Sequence, residues 1–262
     1  MADLPPLLEV KNLAVGYAQK ANTHTVASAI NFQLYPNKLI SLLGLNGIGK
    51  STLLRTLSGV QPPLDGSIHL NNKLLSSYSR SDLAAQISVV LTEKIPNNQL
   101  TVYELVALGR IPYTDWMGAL TALDKEKIET ALSVTETRDL RDKKVGQISD
   151  GQLQKTLIAR AIAQDTPLII LDEPSTHLDL YHKISLFRLL KKLCRTQHKC
   201  ILFSTHDMDL ALQLSDELLL MRPQGLIHNT TAALIQGSEL QDLFDDPSIR
   251  FDREQKRFIL DQ

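Results

Sequence analysis

Three glycines, a lysine and two hydroxyl residues crowd into LLGLNGIGKSTLL, residues 42 to 54. Gly44, Gly49, Lys50 and Ser51 fit the spacing G-x-x-x-x-G-K-[ST]. Glycine lets backbone N–H groups turn inward around phosphate oxygens, lysine bridges the outer phosphates, and the serine hydroxyl can be offered to Mg²⁺. The residues expected to hold a nucleotide here are Gly44, Asn46, Gly47, Gly49, Lys50, Ser51 and Thr52. An apolar run, LISLL, precedes the loop and a helical pattern, STLLRTLSG, follows it, so the positive end of a helix dipole should also face the phosphates.

Two further stretches complete a chemistry. LIILDEP is a buried-strand pattern that delivers Asp172 and Glu173 to a strand's carboxyl end, where α/β sites lie. Asp172 suits a Mg²⁺ shell. Glu173 is placed to polarise a water for attack on a γ-phosphate, the positioning task of phosphoryl transfer. In QISDGQLQK, residues 147 to 155, Ser149 and Gln152 form an S-x-x-Q capping box. It opens a helix with Leu153, Leu157, Ala161 and Ile162 on its inward face, and a capped helix start is also an anion site.

These stretches need a frame. A length of 262 residues allows a sizeable core in one domain or two closely packed lobes. The runs LISLL, ISVVL, LIIL and CILF lack alternation, as strands covered on both faces do, and helical patterns lie between them. That order predicts an α/β fold with a mostly parallel sheet. The first 40 residues differ, since LEVKNLAVGY and SAINFQLYP alternate like one-faced antiparallel strands. Strand signals stop between about 95 and 160, where TVYELVALGR and DKEKIETALSV read as a helical insertion. Near the carboxyl end, Ser238 is expected to open a short helix with Gln241 completing its capping box.

With 28 Lys plus Arg against 29 Asp plus Glu, the charge balance gives no footing for nucleic acid as a partner. The start, MADLPPLLEV, lacks the basic and apolar stretches of a secretory signal, and no apolar run approaches the roughly 18 to 20 residues of a membrane span. A cytosolic chain is expected, with any membrane role carried through a partner. Cys194 and Cys200 lack the paired spacing of a zinc site and are read as reduced, unligated thiols.

The three motifs, in this order, resemble the ATP-binding subunit of an ATP-binding-cassette (ABC) transporter, with Ser149, Asp150, Gly151 and Gln152 where that family has its S-G-G-Q signature. The resemblance covers nearly the whole chain. It implies a P-loop NTPase core with an N-terminal antiparallel β subdomain, approximately residues 1–92 and 161–262, and a helical subdomain over about 93–160. It implies Mg·ATP as substrate, Tyr17 stacked on adenine, and Ser149, Gly151 and Gln152 completing the nucleotide site of a second copy. By the same resemblance STHLD, residues 175 to 179, crosses the dimer interface and His206 reaches the γ-phosphate, whereas His177 and His182 are left as loop and helix-surface residues.

Two positions depart from the pattern. Asp150 replaces the second signature residue, usually glycine, and Thr92, with Glu93 next, stands where the family has a glutamine touching the metal and water. The partners implied are a second copy, integral permease subunits and, through them, a solute-binding protein, at the cytoplasmic face of the cell membrane. A soluble ABC ATPase uncoupled from transport, or a nucleotide-dependent scaffold with weak catalysis, is the alternative. TVYELVALGRIPYTDWMGAL, residues 101 to 120, resembles the V-x-x-G-R-x-P segment of importers of iron-siderophores, haem and vitamin B12 through Gly109, Arg110 and Pro112. That likeness implies an exposed Arg110 and Trp116, with Tyr113, at a permease contact.

Overall fold

The computed structural model describes residues 5–19, 22–91, 99–176, 178–243, 246 and 248–260. The chain opens with β1 (Leu8–Gln19) and β2 (Asn22–Leu34), an antiparallel pair whose apolar residues point to one side. Next comes β3 (Leu39–Leu43), buried at every position and followed by the glycine loop and α1 (Lys50–Leu57). The chain then returns to the first sheet as β4 (Asp65–Leu70) and the short β5 (Lys73–Leu74), giving the order β2-β1-β4-β5. The alternating segments therefore form a one-faced antiparallel sheet, as their pattern requires.

After α2 (Arg80–Ala84) comes β6 (Ile87–Val90), and the described chain resumes with α3 (Val102–Ala107), α4 (Ala122–Val134) and α5 (Asp150–Ala163). All three of these helices begin with a capping box: Thr101 with Glu104, Thr121 with Asp124, and Ser149 with Gln152. From 99 to 163 the described residues form helices and turns, with one isolated bridge between Thr101 and Lys144. Then follow β7 (Leu168–Leu171), α6 (Leu180–Thr196), β8 (Cys200–Ser204), α7 (Met208–Leu214), β9 (Glu217–Arg222) and β10 (Gly225–Thr230).

The second sheet has the order β10-β9-β3-β8-β7-β6; its strands pair in parallel except for β10, which runs antiparallel to β9. One core cluster fills the space between this sheet and α3 to α6; another lies under the first sheet and α1. Leu157, Ala161 and Ile162 of α5 are buried in the first cluster and Leu153 packs against it, as the sequence period anticipated. Cys194 and Cys200 are buried free thiols. Burial in apolar surroundings pushes the Cys194 thiol up to about 12 and the Cys200 thiol well above its ordinary value.

The tail holds α8 (Thr231–Gln236) and the hairpin of β11 (Ile249–Asp252) with β12 (Arg257–Leu260). The expectation of a helix capped by Ser238 and Gln241 is corrected here. The cap belongs to Thr230, whose hydroxyl accepts from Ala233 N at 3.2 Å and opens α8. Residues 241–243 form only a 3₁₀ turn, and the Gln241 amide oxygen accepts instead from Phe251 N at 3.2 Å, tying the hairpin to the turn.

Candidate nucleotide site

The phosphate loop joins the end of β3 to the start of α1. Gly49 is the N-cap in the left-handed region, with φ 109°, and a Cβ there would lie 2.1 Å from Val26 Cγ1. Glycine is required on both counts, conformation and space. With no side-chain cap on α1, its first N–H groups remain turned toward the loop. Lys50 Nζ donates to Gly44 O at 2.9 Å and Leu45 O at 3.2 Å, which holds the ammonium at the mouth of the loop. Burial lowers the Lys50 pKa, while Glu173 and Asp172 oppose the shift by favouring its charged form.

Asn46, Gly47, Gly49, Lys50, Ser51 and Thr52 line a cavity of about 380 Å³ together with Tyr17 and Glu173. Tyr17 is 44% exposed, and its hydroxyl shares a 2.8 Å hydrogen bond with Thr52 Oγ1. The ring is thus fixed at one end of the phosphate loop. On the loop's other flank, Gly44 and Asn46 share a second cavity of about 740 Å³ with His206.

Asp172 and Glu173 follow β7 directly. The Asp172 carboxylate is buried, and Ser204 at the end of β8 donates its hydroxyl to Asp172 Oδ1 at 2.6 Å while accepting from Glu173 N at 2.9 Å. Glu173 has φ 48°, a left-handed conformation uncommon outside glycine that costs about 1 to 2 kcal/mol. The conformation turns Glu173 back toward the site, where Oε2 accepts from Thr176 Oγ1 at 3.3 Å and lies 3.7 Å from His206 Nδ1. Sequence reasoning missed Ser204; its only signal was a polar residue ending the buried run CILFS. It also missed Lys183, and it read Ser175 only as part of the interface loop; the two hold Asp207 at 3.0 and 3.1 Å and so pin the turn that carries His206.

Magnesium takes few protein ligands, all hard oxygens, and leaves the remaining positions to waters and phosphate. The Ser51 hydroxyl and the Asp172 carboxylate are such a pair. Among the described residues there is no cluster of three or more His, Cys, Asp or Glu that could hold a metal ion. Thr92 and Glu93 lie outside the described residues.

Ser149, Asp150, Gly151 and Gln152 stand apart from all this. Ser149 Oγ accepts from Gln152 N at 3.3 Å and Gln152 Oε1 from Ser149 N at 3.0 Å, so the expected capping box is present. The four residues line a separate cavity of about 650 Å³, together with Lys155, Asp179 and His182. His182 does lie on a helix, α6, and its Nδ1 sits 2.8 Å from Asp179 Oδ2. His177 lies outside the described residues.

The expected exposure of Arg110 is overturned. Its side chain is 5% exposed and paired at 2.8 Å with Asp124, itself 3% exposed, while Nη1 donates to Ala163 O at 2.8 Å. Its guanidinium also lies 4.0 Å from the centre of the Tyr113 ring. Arg110 is a buried strut tying the turn after α3 to the start of α4 and the end of α5. Trp116, by contrast, is 92% exposed.

The ABC transporter family model matches residues 27–176, more than half of the chain. The chain belongs to this family. It is an ATP-binding subunit, and its activity is ATP hydrolysis. An uncharacterized ABC transporter ATP-binding protein of Methanocaldococcus jannaschii is 38% identical over 84% of this chain and 75% of its own length. The achromobactin transport ATP-binding protein of Dickeya dadantii is 35% identical over 85% of this chain and 79% of its own. Among solved structures, a chain of an inward-facing transporter described as metal-chelate type superposes with a TM-score of 0.77 at 29% identity, covering 97% of this chain and 96% of that one.

Proposed function

We propose that two copies of this subunit bind Mg·ATP between them and use closure and hydrolysis to drive a membrane permease that imports an iron chelate or related metal-organic nutrient. The observation that carries the dimer is the separation of the two half-sites. The loop cavity and the signature cavity share no lining residue. A nucleotide on Lys50 can meet Ser149, Gly151 and Gln152 only if a second copy supplies them. Asp179, beside the signature in the same cavity, then lies at the junction between copies.

Within each site Lys50 holds the outer phosphates and Tyr17 the base. Ser51 and Asp172 are the residues that would hold Mg²⁺, whose charge would offset that of the phosphates. Glu173 accepts a proton from the attacking water, and His206, beside Glu173 Oε2, faces the γ-phosphate. Ser204 keeps the Asp172 carboxylate and the Glu173 backbone in register, so the two acidic groups serve separate tasks from adjacent positions.

The cargo reading rests on similarity to the achromobactin protein and the metal-chelate transporter, together with Gly109, Arg110 and Pro112. The permease contact is assigned to exposed apolar residues in the stretch that follows α3, Ile111, Trp116 and Met117, in the helical segment of about 93–160. No helix among the described residues is long and apolar enough to cross a membrane. Attachment at the cytoplasmic face, and any link to a solute-binding protein, would come through the permease.

The Glu173→Gln variant tests the motor. It should bind ATP, turn over about 10²- to 10⁴-fold more slowly and accumulate as an ATP-bound dimer in size-exclusion chromatography. A variant that stays monomeric at saturating ATP contradicts the shared site. Reconstitution with the cognate permease tests the cargo: ATP-driven uptake of a sugar or amino acid, with no response to siderophore, haem or cobalamin, overturns that assignment alone.

A further inference from the structure

We propose that His24 contacts the bound nucleotide, forming with Tyr17 a two-ring platform for the base. Tyr17 on β1 and His24 on β2 are direct partners in the antiparallel register. Side chains of such partners stand on the same face of the sheet, with Cβ atoms about 4.5 to 5.5 Å apart. The adjoining residue Gly16 secures this approach, since a Cβ there would lie 2.1 Å from His24 O. Both rings line the cavity that holds the phosphate loop.

The same strand is fastened to that loop two residues further on. Val26, which lines the same cavity as His24 and sits where the pairing of β1 with β2 shifts by one residue, fills the space that a side chain at Gly49 would need. His24 therefore lies two residues along β2 from the point where that strand meets the loop. Phosphates seated over Gly47 to Ser51 put the sugar next to Thr52, and the Tyr17 hydroxyl bonded to Thr52 marks the direction in which the nucleoside leaves the loop. That path runs across Tyr17 toward His24. The His24 side chain is exposed and makes no hydrogen bond or ion pair among the described residues, so its ring is available. The charged side chains that share its cavity are Lys50 and Glu173, at the phosphate end.

A flat imidazole offers a base a stacking face, as other aromatic side chains do. The inference builds on the nucleotide site above and adds a second wall to it. It also gives a specificity device: two adjacent rings cover more of a purine than of a pyrimidine.

Calorimetric titration of the purified subunit with ATP, ADP and inorganic tripolyphosphate, at pH 6.5 and pH 8, decides the matter. His24→Ala should weaken ATP and ADP by a common factor of roughly tenfold, within the usual range of base stacking on an aromatic side chain. Tripolyphosphate should bind as to the parent, the factor should be the same at both pH values, and His24→Phe should restore affinity. Unchanged ATP affinity in His24→Ala overturns the proposal. So does a loss that extends to tripolyphosphate and fades at pH 8, because His24 would then be a phosphate-binding cation. If the parent itself bound no ATP, the nucleotide site would be wrong, a failure distinct from either outcome.

Discussion

Replacing Arg110 by methionine should cost about 3 kcal/mol of stability, because it would strand a carboxylate in the interior. Removing one partner of a buried ion pair typically costs about 3 to 5 kcal/mol. The lower end applies here, since Asp124 keeps two hydrogen bonds from Thr121, from N at 2.9 Å and Oγ1 at 2.6 Å. Methionine also retains much of the packing against Tyr113 while abandoning Ala163 O. For a chain of this size, at about 2 to 4 °C per kcal/mol, the melting temperature should fall by roughly 6 to 12 °C. The Thr121 hydroxyl and, against the opposing effect of burial, the Arg110 guanidinium hold the Asp124 carboxyl below its usual range. A depressed folded-state pKa stabilises above the ordinary Asp value of about 4, and that contribution is lost as pH falls through the folded value. The deficit of the variant should accordingly be level between pH 6 and 8 and shrink in acid. Differential scanning calorimetry measures it, and Arg110→Met with Asp124→Asn should recover most of the loss while keeping the α4 cap. A single variant melting within 2 °C of the parent, yet failing to assemble with the permease, would mean that the guanidinium faces outward and that the burial argument is wrong.

Two further outcomes follow from neighbouring geometry. Ser204→Ala removes the hydroxyl shared by Asp172 and Glu173 N, so the Mg²⁺ concentration for half-maximal ATPase activity should rise about tenfold, the usual effect of losing a group that orients a metal ligand; an unchanged Mg²⁺ requirement would show that Asp172 is oriented without it. Trp116→Ser should leave the melting temperature and basal ATPase rate of the isolated subunit unchanged while weakening co-purification with the permease, and full assembly by this variant would move the permease contact elsewhere.

The elements that position the site were legible because local patterns alone specify them. LISLL and LIIL carry no alternation and become β3 and β7 with the same boundaries, and the S-x-x-Q spacing at Ser149 becomes a cap whose two bonds both form. Two readings failed for a common reason. Beside Gly109 and Pro112 an arginine looks like a surface residue, and nothing within a helical turn of Arg110 announces burial. Its hydrogen-bond partners are 14 and 53 residues away, so the pocket that buries it exists only after α4 and α5 have packed. Gln241 likewise satisfies the spacing of a cap with Ser238 but finds Phe251 N, ten residues on, through the hairpin. A local motif predicts a contact when its own backbone supplies the partner, as in a cap or a phosphate loop. A side chain long enough to reach another element has competing partners, and packing chooses among them. Ser204 illustrates the same limit at the site: its hydroxyl matters because β8 lies beside β7 in a register that pairs Leu171 with Phe203, which brings the serine up against Asp172 and Glu173.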